Sequence, residues 1–474
     1  MSGGILSSLS HSLNMSEAAI RLTFSILLGV PIALLHRLTL YGKCPKCQHI
    51  FFMTCGFLIC TWNYGFQTIH SVTTIYVTYL ILKRFGGTKL SVFLTFVFTM
   101  GYLLYGYYET STQSYDIKWT MPQCVLTLRL IGLAYSLMDG QTPGEKLSVP
   151  QKKVALKEKP TFYEIAAYTY FPGAFLVGPQ FSMKRYLDYV HGRDITHVRD
   201  SSSDGKYLIK FRDCFLYGIF RIFIGFVYIV LYIIGTNYVP HDCLLSDDYR
   251  QYNFFIRLFL IGVWGHFHLY KYVCIWLLAE GVCTMFGLTF NGEEKSGKPT
   301  WNGCENVRLL QFETGITFND YVMSFNINTN TWCAEYIYKR LKFMGSKVYS
   351  QFFTLLFLSI WHGFHSGYYM CFFLEFIIIY AEKDLTEILE KQEKIKRLIE
   401  RRLELRILTW IFMKVFSLIF MGYALVGFMF LSYSRYHKVY SAVYYCGHII
   451  FMSYPIVAIL LKKFFFLNSQ AKID

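Results

Sequence analysis

Apolar runs close to the thickness of a bilayer recur along the whole of this 474-residue chain. They fall at 18–35, 50–64, 71–82, 90–107, 215–234, 254–264, 272–288, 352–380, 408–431 and 439–461. A helix needs about 20 apolar residues to cross the hydrocarbon core, and there every backbone polar group must be paired within the protein. The expected fold is an all-α polytopic membrane protein with about nine to eleven transmembrane helices or half-helices around a central cavity. The shorter runs are expected to be tilted, broken or buried among neighbours. Only 16% of residues are charged, against about 25% in soluble domains, which argues against a soluble enzyme. The first run lacks the small-residue exit site of a cleavable signal peptide and is expected to act as an anchor.

The formal net charge of +15 comes from Lys and Arg spread over loops and helix ends. That distribution is typical of cytoplasmic loops and does not read as nucleic-acid binding. It suits anionic lipid headgroups or a polyanionic cosubstrate. The 13 cysteines sit mostly in apolar segments (Cys55, Cys60, Cys274, Cys283, Cys371), where cysteine behaves as a small hydrophobe. Cys44-Pro45-Lys46-Cys47 is a lone pair without the second pair a zinc site wants. No metal or cofactor is expected.

Three regions follow from composition. Residues 1–140 read as N-terminal transmembrane helices, interrupted by a polar break from Thr110 to Gln123. Residues 141–160, rich in Lys and Pro, read as a polar, solvent-exposed linker. Residues 161–474 read as the membrane core that carries the chemistry. Within it, the aromatic Pro/Gly segment from Tyr168 to Phe181 cannot be a straight helix. It is expected to be a re-entrant segment lining a cavity or a loop wedged against helices. Ser201 to Gly205 reads as a turn. Leu385, Ile388, Leu389, Ile395, Leu398 and Ile399 repeat at helical spacing, predicting an amphipathic helix over 382–406. It would lie on the membrane surface or cap the helical core.

The chemistry concentrates in two clusters. Trp361-His362-Gly363-Phe364-His365 lies inside the apolar run 352–380, in which only Glu375 carries formal charge. An ionisable group at membrane depth is by default a functional hypothesis. A neutral imidazole, with an ordinary pKa of about 6.5, can accept a proton at physiological pH. Gly363 and Gly367 would thin the helix beside it for a close approach. His365, three residues on, shares its helical face and reads as a neighbour of the cavity. The pair lacks a third ligand for a metal.

The second cluster is Phe325-Asn326-Ile327-Asn328-Thr329-Asn330-Thr331-Trp332. A carboxamide in a dry cavity suits a developing oxyanion, while Asn330-Thr331 could equally start a helix. Lys339, Arg340 and Lys342 form a basic edge suited to phosphates or to headgroups. Glu280 needs a counter-charge, with Lys271, Arg257 or Arg129 as candidates, and a buried ion pair is the plainer reading. His266 and His268 fall on different helix faces and read as structural.

Taken together, these segments resemble the membrane-bound O-acyltransferase family, and within it the lysophospholipid branch. Trp361-His362-Gly363 through Gly367-Tyr368 and Phe372 matches one signature, and the stretch from Phe325 to Trp332 matches the asparagine-bearing motif. Gly178-Pro179-Gln180-Phe181 is the third, and Lys271-Tyr272, Trp276, Glu280-Gly281, Gly287 and Phe290-Asn291-Gly292 the fourth. Ser366 stands where several relatives have Pro, and Phe325-Asn326 where some have Trp-Asp; both variants look like the phosphatidylcholine-remodelling subgroup.

The resemblance implies an enzyme that transfers an acyl chain from acyl-CoA to the sn-2 hydroxyl of a lysophospholipid. It implies lysophosphatidylcholine, lysophosphatidylethanolamine and lysophosphatidylserine as acceptors and polyunsaturated acyl-CoA as donor. His362 would be the general base and Asn326 would serve the thioester or oxyanion, with Asn328 as the lesser donor. The CoA phosphates would lie near Lys339, Arg340 and Lys342. Tyr168, Tyr170 and Gly178 to Phe181 would line the acyl tunnel. Trp332, Trp361, His365 and Glu280 complete the expected substrate-binding set. Acyl-CoA is a cosubstrate, so no cofactor is implied. The expected location is the endoplasmic-reticulum membrane, although Gln470 to Asp474 lacks the paired lysines of a retrieval tail. A homodimer stays open. Other members of the family acylate sterols, diacylglycerol or proteins, and a proton-coupled transporter is the alternative from another class.

Overall fold

A computed structural model describes residues 16–112, 117–193 and 211–470. The turn expected at Ser201 to Gly205 and the last four residues of the chain lie outside them. Among the described residues the secondary structure is helical, apart from isolated bridges pairing Glu293 with Pro299 and Val307 with Phe325.

The N-terminal region holds α1 (Glu17–Leu27), α2 (Gly29–Thr39), α3 (Pro45–Tyr64), α4 (Thr68–Phe85), α5 (Lys89–Thr110) and α6 (Thr120–Gly140). The linker 141–160 follows as a short turn and a six-residue helix, mostly exposed. The core then contributes α7 (Phe162–Thr169), α8 (Met183–His191), α9 (Phe211–Tyr238) and α10 (Phe254–Phe286). After a polar loop come α11 (Ile327–Tyr336), α12 (Lys347–His362), α13 (Ser366–Glu390), α14 (Glu393–Arg401), α15 (Leu403–Phe430), α16 (Tyr433–Ala442) and α17 (Cys446–Gln470). Among the described residues, seven helical stretches are long and apolar enough to cross a membrane. They are α1 with α2, α5, α6, α9, α10, α15 and the first part of α17. The protein is a multi-pass membrane protein, and the further spans or half-spans of the expectation fall on shorter or more polar helices.

α6 and α10 are the most enclosed of these spans and form the interior. Glycines set how closely the others approach. Gly218 lies against Gly281, Gly225 against Cys274 and Gly235 against Phe267, so α9 and α10 run antiparallel with their backbones nearly touching. Gly367 of α13 meets Gly427 of α15 so closely that a Cβ on Gly367 would sit 2.0 Å from the Gly427 carbonyl oxygen. Such small-residue seams hold membrane helices together where lipid supplies no hydrophobic drive.

The segment 170–182 is the wedged loop of the two expected forms, buried for most of its length. Its backbone carbonyls lie away from water and need donors. Arg129 of α6 supplies them: Nη1 donates to Tyr168 and Thr169 (3.2 and 3.1 Å), and Nη2 to Ala174 and Pro179 (2.7 and 3.0 Å). Its guanidinium also lies 4.7 Å from the Phe181 ring centre.

The amphipathic helix expected over 382–406 is not continuous. The chain must reverse here so that α15 can pack antiparallel on α13, and the stripe is divided among the end of α13, the nine-residue α14 and the start of α15. Leu385, Leu389, Leu398 and Leu403 remain exposed, as on a surface facing headgroups.

Candidate active site

α12 is capped at its start by Ser346, whose side chain accepts from the Tyr349 N–H, and it ends at His362. Gly363 has φ 121° and ψ −162°, a backbone conformation that L side chains rarely adopt, and here it breaks the helix. The run 352–380 is therefore two helices, not one. His365 flanks the start of α13 and does not share a helical face with His362. Its ring meets Tyr368 edge-on at 5.9 Å.

The His362 ring is held by aromatic neighbours. Phe372 stacks on it at 5.5 Å, Tyr368 lies at 5.4 Å, and Phe428 of α15 meets it edge-on at 5.0 Å. The residue keeps some accessible surface, and its ring nitrogens have no hydrogen-bond partner among the described residues. Such a ring is fixed in orientation yet open to exchange a proton with a bound hydroxyl.

The three asparagines separate by what they bind. Asn328 Nδ2 donates to the carbonyls of Cys304 and Glu305, both at 3.2 Å. Asn330 Nδ2 donates to Val322 and Phe325, at 2.8 and 3.0 Å. Their donors are spent on holding the loop, so Asn328 is not the alternative oxyanion donor that its sequence position suggests. Asn326 is different. It precedes α11 in the left-handed region, φ 50° and ψ 42°, a region asparagine tolerates better than most residues. Its carboxamide bonds to no other described residue. The helix thus starts at Ile327, not at Asn330-Thr331.

Asn326 is positioned from below by a buried ion pair. Glu280 faces Arg221 at 2.7 and 2.9 Å, so its counter-charge is none of Lys271, Arg257 or Arg129. The other Glu280 oxygen accepts the Asn306 N–H at 3.4 Å. Asn306 then accepts from Ile327 and Asn328 N–H, each at 3.0 Å. Glu280 is 2% exposed and serves as a support for the motif rather than a substrate ligand.

An aromatic wall joins the two clusters. Phe325, beside Asn326, packs on Trp276 at 5.0 Å and on Tyr272 at 6.4 Å. Tyr272 packs on Phe428 at 6.5 Å, and Phe428 on His362. Trp332 and Trp361 lie behind the wall, buried, with their indole N–H groups given to α6 carbonyls. They are framework rather than substrate-binding residues.

Other expected ligands are also engaged by the protein. Lys339 pairs with Glu335. Arg340 forms a two-point contact with Asp139 at 2.9 and 2.5 Å, because that carboxylate is buried and needs a cation. Lys342 is exposed at the same turn. The hydroxyls expected at an acyl tunnel are bonded within the protein: Tyr168 donates to the Phe181 carbonyl at 2.7 Å and Tyr170 meets Ser71 at 2.7 Å. Both rings are buried, satisfying the loop that Arg129 holds. A small void lies beside Tyr170, about 20 Å³, with room for a water. One constellation went unseen in the sequence, His49 with Glu164 and His191. Its members are too far apart along the chain to form a spacing pattern.

Comparison with known proteins bears on this arrangement. The sequence pattern described as MBOAT, membrane-bound O-acyltransferase family, matches residues 104–466. This chain belongs to the membrane-bound O-acyltransferase family. It is similar to lysophospholipid acyltransferase 5 of Homo sapiens, 42% identical over 448 residues that cover 94% of this chain and 90% of that protein. The Drosophila melanogaster protein of the same name is 39% identical, covering 94% of this chain and 87% of that one. The Caenorhabditis elegans protein is 34% identical, covering 97% and 95%. Within the family frame, the aromatic box around His362 and the uncommitted amide of Asn326 fall in the two segments on which the resemblance rests.

Proposed function

We propose that this membrane-bound O-acyltransferase transfers an acyl chain from acyl-CoA to the free sn-2 hydroxyl of a lysophospholipid. The observation that carries the reading is that His362 and Asn326 are free of protein hydrogen bonds and are joined by one aromatic wall. The names of the similar proteins support the acceptor class.

His362 takes the proton of the sn-2 hydroxyl as its oxygen attacks the thioester carbonyl. The Asn326 amide donates to the oxyanion that forms. Collapse of that intermediate breaks the C–S bond, and the imidazolium returns the proton to the departing CoA sulfur. The new bond is the ester of the phospholipid, and no acyl-enzyme is needed. Holding both substrates in one site supplies the orientation that the direct transfer requires. Lys342 is exposed at the turn before α12, and in this reading it takes the CoA phosphates. Choline, ethanolamine and serine headgroups, polyunsaturated donors and residence in the endoplasmic reticulum belong to the same reading.

The test is acyl transfer from a labelled acyl-CoA in membranes containing the protein, offered lysophosphatidylcholine, diacylglycerol or cholesterol. Incorporation into phosphatidylcholine alone is the expected result. Incorporation into the sterol or the neutral lipid would replace the reading with another acceptor of the same family.

A further inference from the structure

Away from the catalytic clusters, three side chains converge from elements distant in sequence. His49 lies near the start of α3, Glu164 in the first turn of α7, and His191 at the last residue of α8. One ligand atom from each lies within 4.8 Å of the others. The His49 Nε2 to Glu164 Oε1 separation is 4.0 Å, too long for a hydrogen bond. Two bonds of about 2.1 Å to a shared ion would span it. Closing all three atoms onto such an ion needs shifts of under about 1 Å.

The outer atoms of the cluster are already tied. His49 Nδ1 pairs with the Tyr186 hydroxyl at 2.8 Å, and when Nδ1 carries the proton, Nε2 turns its lone pair toward Glu164. Glu164 Oε2 accepts from the Thr161 N–H and hydroxyl at 2.6 and 2.8 Å, which leaves Oε1 for the cluster. Metal ligands are oriented by partners of this kind. One turn before His191, Asp188 is 6% exposed and its Oδ1 has no hydrogen-bond partner.

We propose that His49, Glu164 and His191 form a divalent transition-metal site, which pins α3, α7 and α8 together beside the loop held by Arg129. Two imidazoles and one carboxylate with a water as fourth ligand are a donor set for zinc. The site is separate from the acyl-transfer residues and does not depend on the proposed reaction.

The experiment uses the full-length protein in detergent, stripped with a chelator and titrated with Co(II), then displaced by Zn(II). Metal content is measured after gel filtration and the melting temperature with and without zinc. The expected result is one equivalent per chain, with the visible bands of four-coordinate cobalt. Affinity should fall at least tenfold in Glu164→Gln and in His191→Ala, and 10- to 100-fold in Tyr186→Phe. Zinc should raise the melting temperature of the wild type but not of the first two variants. Glu164→Gln keeps the shape of the side chain, so loss of metal there with an unchanged gel-filtration profile reports the site rather than misfolding. Binding should persist in the Cys44→Ser/Cys47→Ser double variant. A wild type that takes up no cobalt or zinc would overturn the proposal. So would metal retained by both Glu164→Gln and His191→Ala, or lost in the cysteine variant.

Discussion

Trp332 and Trp361 are anchored to successive turns of one buried helix. Trp332 Nε1 donates to the Leu128 carbonyl at 2.9 Å and Trp361 Nε1 to the Cys124 carbonyl at 3.1 Å. The motif that ends in Trp332 carries Asn326, and the residue after Trp361 is His362. α6 thus acts as a common ruler for the two side chains to which the proposed reaction is assigned.

Removing either indole N–H should loosen that ruler. Trp361→Phe and Trp332→Phe each delete one buried hydrogen bond, with a stability loss of about 1 kcal/mol. Because both act through the position of another residue, kcat should fall while KM for acyl-CoA stays near its wild-type value. Kinetics in matched amounts of folded protein check this; a change confined to KM would place the indoles against substrate instead.

The asparagines should divide by phenotype. Asn326→Ala should lower kcat by about 10²- to 10³-fold, as loss of an oxyanion donor does, with the melting temperature little changed. Asn328→Ala and Asn330→Ala remove donors that hold backbone carbonyls and should lower the melting temperature first. Thermal melts beside turnover distinguish the two classes, and a stable, inactive Asn328→Ala would reverse the assignment.

Arg129 feeds four buried carbonyls from one planar group. Lysine has three donors on a single nitrogen and cannot match that fork. Arg129→Lys should therefore fail to rescue Arg129→Met, both losing more than about 3 kcal/mol. Yield of monodisperse protein after detergent extraction measures this. Wild-type yield from Arg129→Lys would show that charge alone suffices.

Breaking one side of the Arg221–Glu280 pair should be worse than removing both. Arg221→Met strands a buried carboxylate, at about 3 to 5 kcal/mol, whereas Arg221→Met with Glu280→Leu leaves no charge behind. The double variant should melt above Arg221→Met. Its activity should stay low, because Asn306 has lost the acceptor that steadies the Asn326 loop.

Much of this was legible in the sequence because membrane spans are read from length and hydropathy, which survive any packing. His362 stood out for being ionisable in an apolar run, and Asn326 for its neighbours. The helix break at Gly363 was hidden, since glycine is as common in tight helix seams as at helix ends; Gly367 does the first and Gly363 the second. The partner of Glu280 was also hidden. Arg221 lies 59 residues away and meets Glu280 only because glycines bring α9 and α10 together. Arg340 looked free for phosphate because its partner, Asp139, becomes a neighbour only once α11 packs on α6; Lys339 takes Glu335 one turn back along the chain.

The most direct measurement is acyl transfer from linoleoyl-CoA to lysophosphatidylcholine in membranes expressing the wild type, His362→Ala and His365→Ala at equal protein levels. With His362 as general base and His365 at the neighbouring helix start, His362→Ala should lose at least 10²-fold while His365→Ala keeps most of its activity. Transfer at the wild-type rate in His362→Ala would contradict the mechanism.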